Sequence, residues 1–210
     1  MRLSQNGSWK VILSVVVLTM LSACGTLHIE EKLPDPPLFQ RIDAHVGVSF
    51  SGAVRTSVII HPPFRVQVGK VSITRFDQVF SSMFAQTSEL PDWPPWQEEI
   101  DNHLDGVIEL AQVAARFDLG NDMGRPDFVS ISYQICLYDL HATQVKCWNP
   151  SAQYSRQRVP RDFILDVGAY ATTAVEITMR EAIARFMVEA DKDPVLRSWA
   201  ATVRRRDTMQ

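Results

Sequence analysis

The chain has little of what most enzymes display in sequence. Of its 210 residues only three are cysteines, Cys24, Cys136 and Cys147. Its five histidines, His28, His45, His61, His103 and His141, form no H-x-x-x-H pair and none sits beside a second cysteine. A zinc site therefore has no local signal. There is no G-x-S-x-G elbow, no Walker loop and no Rossmann glycine set, so no nucleophile, nucleotide or dinucleotide motif can be read, and no cofactor or metal is expected. The chain also lacks an excess of basic residues, its formal net charge being −3. That argues against non-specific binding of nucleic acid, which needs a basic face. Beyond residue 23 no apolar run approaches ~18 residues, so no transmembrane helix is expected there. No internal repeat is visible.

What is present begins at the N-terminus. Arg2 and Lys10 give a short basic front, and no acidic residue precedes Glu30. The run from Val11 to Leu21 is almost pure hydrocarbon but too short for a permanent span, which needs ~20 residues. A basic front, a short apolar run and small residues at a cut site make a secretory signal. Leu21-Ser22-Ala23-Cys24 resembles the lipobox of bacterial lipoproteins, a leucine followed by small residues and a cysteine. The resemblance implies cleavage before Cys24, a diacylglycerol on its sulfur, and Cys24 as the new N-terminus facing the periplasm. Several acyl chains would anchor firmly, since each buried CH₂ contributes about 0.8 kcal/mol. Gly25 stands where an aspartate would favour inner-membrane retention, which implies the outer membrane. The alternative is an ordinary signal with a chance cysteine.

Without residues 1–23, the remaining 19 basic and 24 acidic side chains leave −5. Residues 24–43 read as the lipidated cysteine and a tether. Pro34, Pro36 and Pro37 lie among Glu30, Glu31, Lys32 and Asp35, a composition that favours an extended, semi-rigid spacer. Residues 44–203 then form one domain, of ordinary apolar and charged content and large enough for a proper core. Residues 204–210, with Arg204-Arg205-Arg206, read as a frayed basic tail.

Within the domain, 44–68 reads as β. Val46, Val48 and Phe50 alternate with small residues, Val54 to Ile60 continues the extended pattern, and Phe64 to Val68 alternates again. Phe76, Val79, Phe80, Met83 and Phe84 form a single apolar stripe, which predicts a helix over 73–86 starting near Thr74 and Asp77. Three prolines make 88–103 irregular, and 104–119 reads as strand or helix. Ile131, Tyr133, Ile135 and Leu137 alternate with polar residues and Cys136. The chain then turns near His141-Ala142 and returns through Val145 to Trp148. Helical period from Ala171 to Met187 predicts a long helix over 168–190, and Asp193-Pro194 starts a short one through Trp199. The expected fold class is α+β, a mainly antiparallel sheet covered by the 73–86 and 168–190 helices. Strands, helix, hairpin and long final helix are similar in order to the small α/β domains of outer-membrane assembly lipoproteins, without a diagnostic motif.

Turning the hairpin about His141-Ala142 sets Cys136 opposite Cys147 and Trp148 opposite Ile135. An exported domain meets an oxidising compartment, so a structural disulfide is expected. Another turn register would leave free thiols. Trp93-Pro94-Pro95-Trp96 places Trp93 and Trp96 in a stiff segment fit for partner docking, or for folding back to bury both indoles. Asp101, Asp105 and Glu109 would share a face if their segment were helical, and Glu98-Glu99 beside Trp96 is a weak echo of a sugar site. These features suggest a membrane-anchored binding or assembly module of the envelope, meeting a protein partner or its own copies and no nucleic acid. The alternative is a periplasmic hydrolase acting on envelope substrates.

Overall fold

A computed structural model describes residues 25–26, 41–61, 64–90, 103–118, 126–156 and 167–207. Its elements, in chain order, are β1 (Gly25–Thr26), β2 (Ile42–Phe50), α1 (Gly52–Arg55), β3 (Ile59–His61), β4 (Phe64–Val66), α2 (Val68–Met83), β5 (Phe84–Leu90), β6 (Gly106–Asp118), β7 (Asp127–Tyr138), β8 (Gln144–Trp148), β9 (Ser151–Arg156), α3 (Val167–Lys192) and α4 (Pro194–Asp207). The larger sheet has the order β5-β2-β6-β7-β8, with β9 also on β7. A smaller one has the order β1-β4-β3. The fold is α+β.

The two sides of the larger sheet are built differently. From β6 onward the pairs are antiparallel, as alternation and the hairpin suggest. On the other side β2 runs parallel to both β5 and β6. Parallel neighbours need a crossover, and α1, β3, β4 and α2 supply it between β2 and β5. The sheet is therefore mixed, a feature no local pattern announces.

Helices cover one face. Phe76 of α2 is the hub, its ring centroid 5.5 Å from Phe80, 4.8 Å from Tyr133 of β7 and 5.9 Å from Phe186 of α3. Trp148 of β8 meets Phe186 at 5.6 Å, and Trp199 of α4 meets Phe84 of β5 at 6.4 Å. All these side chains are buried. The alternation read from Ile131 to Leu137 is the burial pattern of β7.

Several boundaries differ from the sequence reading. The first amphipathic helix covers 68–83, not 73–86. Thr74 and Asp77 lie inside it, and Gln67 caps it without a side-chain bond. Its start is set by packing. Gly69 sits so close to α1 that a Cβ there would lie 1.9 Å from the Val54 carbonyl oxygen. Its end falls before Phe84, which continues the helical stripe in sequence yet is extended and pairs with Ile42. The extended pattern over Val54–Ile60 is broken by α1, whose turn is capped by Ser51 Oγ accepting from Val54 N–H at 3.2 Å. Residues 106–118 are strand, so Asp105 and Glu109 share no helix face. Residues 88–90, read as irregular, belong to β5. Strand β9 has no counterpart in the reading, because only Ala152 and Tyr154 mark its inner face. The long helix is nearly as expected, 167–192 against 168–190. The helix after it runs to Asp207 rather than Trp199, so Arg204–Arg206 are helical and not a frayed tail.

Candidate functional site

Of the residues singled out from sequence, Cys24, Trp93, Trp96, Glu98, Glu99 and Asp101 lie outside the described residues. Cys136 and Cys147 are directly opposed in the β7–β8 ladder and joined by a disulfide. Ile135 faces Trp148 in the same register. The bridge lies on the sheet face away from the helices, next to Glu109, which pairs with Cys136 across β6 and β7. Burial pushes the Glu109 carboxyl above its ordinary range, and a hydrogen bond from Tyr138 only partly offsets this. The bridge joins directly opposed positions of one hairpin, the geometry of a structural cross-link.

Polar chemistry and open space meet twice at the starting end of β2. This strand is the first of the larger sheet in chain order. Its alternating side chains face two different cavities. Ile42 faces the helix side, and Asp43 and His45 face the open side.

On the open side, a cavity of about 540 Å³ is lined by Asp43, His45, Gln86, His103 and Asp105. Asp105 clamps it, since its Oδ2 accepts from His45 N–H at 2.8 Å while its own N–H donates to the His45 carbonyl at 2.7 Å. The His45 ring is held at both nitrogens. Nδ1 lies 3.1 Å from the His103 carbonyl oxygen, which can only accept, so the neutral ring carries its proton there. Nε2 then accepts from the Ser88 hydroxyl at 2.8 Å. A serine hydroxyl on an oriented imidazole is the minimal arrangement for activating a nucleophile. It was invisible in sequence, because Ser88 and His45 are 43 residues apart and meet only through the parallel β2–β5 pairing.

On the helix side, a cavity of about 330 Å³ opens between Arg41, Ile42 and the last two helices. Ala190, Leu196 and Ala200 line its floor with Ile42, and all four are buried. Arg197, Ala201 and Arg204 follow α4 at helical spacing and, with Arg41, form its rim. Arg41 Nε and Nη2 donate to the carbonyls of Phe84 and Ala85 at 2.8 and 2.9 Å. Arg197 donates to the Asp191 carbonyl. Among the described residues none of the three arginines is ion-paired with a carboxylate.

The junction between α3 and α4 is fixed by Asp193. Its Oδ1 accepts from the N–H groups of Val195 and Leu196, and its Oδ2 accepts from the Trp148 indole at 3.1 Å and meets Lys146 Nζ at 3.3 Å. Burial alone would raise its pKa. The Val195 and Leu196 amides and Lys146 outweigh that and hold the carboxyl below its ordinary range. Arg75 and Tyr133 are among the other polar groups deep in the core, and burial pushes the Tyr133 phenol up to about 12 despite its contact with Ser72 and the charge of Arg75. Among the described residues no cluster of three metal-ligating side chains occurs.

No family model matches the chain, and no curated protein matches it. Solved structures do. A neuraminyllactose-binding hemagglutinin homolog from Helicobacter pylori superposes with a TM-score of 0.55 at 12% identity, over 83% of this chain and 97% of its own. A Xanthomonas campestris protein assigned to the DUF330 family gives 0.49 at 9% identity, over 80% and 96%. A minor lipoprotein from Acinetobacter baumannii gives 0.45 at 8% identity, over 72% and 93%. At such identities the likeness to the Helicobacter protein shows a shared fold and nothing more.

Proposed function

We propose that the chain is a lipid-anchored envelope protein, held at the periplasmic face of the outer membrane, whose folded domain binds or assembles with a protein partner. The single observation that carries this reading is Leu21-Ser22-Ala23-Cys24, which closes a short apolar run and precedes a proline-rich spacer. Gly25 after the cysteine supports the outer over the inner membrane. The fold supports a docking role in one respect. Strand β5 has a sheet neighbour on one side only among the described residues, and it leads directly into the segment that holds Trp93 and Trp96. An edge strand followed by stiff aromatics suits recognition by strand addition.

Acyl labelling tests the anchor. The wild-type chain incorporates labelled fatty acid and sediments with outer membranes, and Cys24→Ser does neither. Normal labelling of Cys24→Ser overturns the reading. A photo-crosslinking residue in place of Glu89 tests the docking role. It yields a discrete adduct in intact envelopes, whereas the same residue in place of Arg180 does not.

A second reading, a periplasmic hydrolase, has the Ser88–His45 contact in its favour. The third group of that set is a backbone carbonyl, not a carboxylate that would stabilise an imidazolium, which leaves the serine weakly activated. Labelling of Ser88 by a fluorophosphonate probe, lost in Ser88→Ala, would establish it. An unlabelled wild-type chain removes it.

A further inference from the structure

We propose that the outer face of the smaller sheet, around Ile60 and Arg65, lies on the bilayer that holds a lipidated Cys24. The inference rests on the lipid-anchor reading and deepens it by naming the surface that the anchor brings to the membrane. Strand register carries it. Gly25 and Thr26, the two residues after Cys24, pair in parallel with Phe64 and Arg65. The stretch read from sequence as a spacer therefore begins as a strand on β4. At ~3.5 Å per residue, Cys24 lies within about 7 Å of Thr26. Strand β3 is one strand beyond β4, and there Ile60 stands opposite Arg65. Neighbouring strands are ~4.8 Å apart, so the Ile60 backbone is about 10 Å from that of Thr26. Acyl chains seated in hydrocarbon beneath a headgroup layer some 5–8 Å deep hold this sheet at the membrane surface.

The face suits that position. Ile59 and Val66 pair in the same register and are buried, so the alternate positions, Ile60 and Arg65, point outward together. Ile60 is 72% exposed, the most exposed large apolar side chain among the described residues. Arg65 beside it is exposed and makes no ion pair among the described residues. An apolar side chain next to an uncompensated guanidinium fits a headgroup layer, with the isoleucine among the upper acyl carbons and the arginine on phosphate. Val188, 50% exposed, provides the contrast. It is two residues from Ala190, which lines the groove with Ile42 at the starting end of β2. Helix α2 runs from Gly69 against Val54, past the other end of β2, to Phe84 beside Ile42. Strand β4 precedes α2 and so lies at the end away from Val188, with the nine residues of β2, ~30 Å of strand, between them.

The test uses the full chain from Cys24 onward. The disulfide leaves Cys24 as its one thiol, which is alkylated with a single myristyl chain. One such chain gives marginal, reversible membrane binding, so a second contact is measurable. Because the chain is attached chemically, a failure of acylation in cells would overturn the lipid-anchor reading and leave this result separate. Partition is measured into vesicles of phosphatidylcholine with about one third phosphatidylglycerol, and into phosphatidylcholine alone. Ile60→Ser should weaken partition about fivefold or more into both, since a side chain that enters hydrocarbon is lost. Arg65→Gln should lose about fivefold on the anionic vesicles and little on phosphatidylcholine alone. Val188→Ser removes an exposed apolar side chain at the other end and should change nothing. All three positions are exposed, so the melting curves should be unchanged. Unaltered partition of Ile60→Ser, an equal loss from Val188→Ser, or an Arg65→Gln loss that is the same on both vesicles would each overturn the proposal.

Discussion

The Trp148 indole N–H donates to Asp193 Oδ2 across 3.1 Å, and in doing so ties the disulfide-closed hairpin to the joint between the two C-terminal helices. One buried carboxylate thus serves two jobs. It caps α4 through Oδ1 and satisfies the indole and Lys146 through Oδ2.

Removing that carboxylate should be costly. Asp193→Ala loses a helix cap and leaves a buried indole N–H unpaired, together about 3 kcal/mol. Denaturant unfolding of Asp193→Ala checks this, with Lys146→Met, whose ammonium is partly exposed, losing under about 1 kcal/mol.

The same group predicts a pH dependence. The native carboxyl titrates below its unfolded value of ~3.9, so the stability it contributes is present above that value and is lost as pH falls through the native pKa. The stability gap between wild type and Asp193→Asn should therefore be widest near neutrality and shrink below about pH 4. A gap that grows on acidification would contradict the assignment.

Cys136 and Cys147 should resist alkylation in the native protein, and non-reducing peptide mapping should recover them as one linked peptide. Cys136→Ala/Cys147→Ala should lower stability by about 2–3 kcal/mol, the chain-entropy value for a loop this short. Recovery of two free thiols refutes the bridge.

Gly69→Ala should be among the most damaging single-methyl additions. The new carbon would meet the Val54 carbonyl oxygen and lie near Ser57 N, both backbone atoms that no rotamer change can move. A loss of about 3 kcal/mol is expected. Gly52→Ala, where a Cβ meets nothing within 4 Å, is the matched control and should be near neutral.

The elements legible in the sequence are those whose pattern is local. The hairpin register could be derived because Cys136–Cys147 and Ile135–Trp148 are fixed by one short turn, and Ala142 takes the left-handed φ of 57° there. Helix α3 repeats an apolar stripe for many turns. The β2–β5 and β2–β6 pairings join residues some forty to sixty positions apart, and alternation in β2 does not say which strand lies beside it. Phe84 shows the same limit at a boundary. Its apolar side chain fits a helical stripe equally well, and only the strand partner Ile42 decides. The two cavities were illegible for a related reason. Arg41 and Arg204, or His45 and Ser88, become neighbours only after the crossover is closed.

That crossover also sets an order of events during folding. Strand β2 is the first strand of the larger sheet in the chain, yet neither of its neighbours exists until residues 84–90 and 106–118 have followed. The antiparallel strands β6 to β9 have their partners close at hand. Closing the longer loops carries the larger entropy loss before any pairing rewards it, so refolding should begin in the disulfide hairpin and finish at β2. Until then β2 stays an open strand, the period in which a chaperone or an aggregating neighbour has its best access.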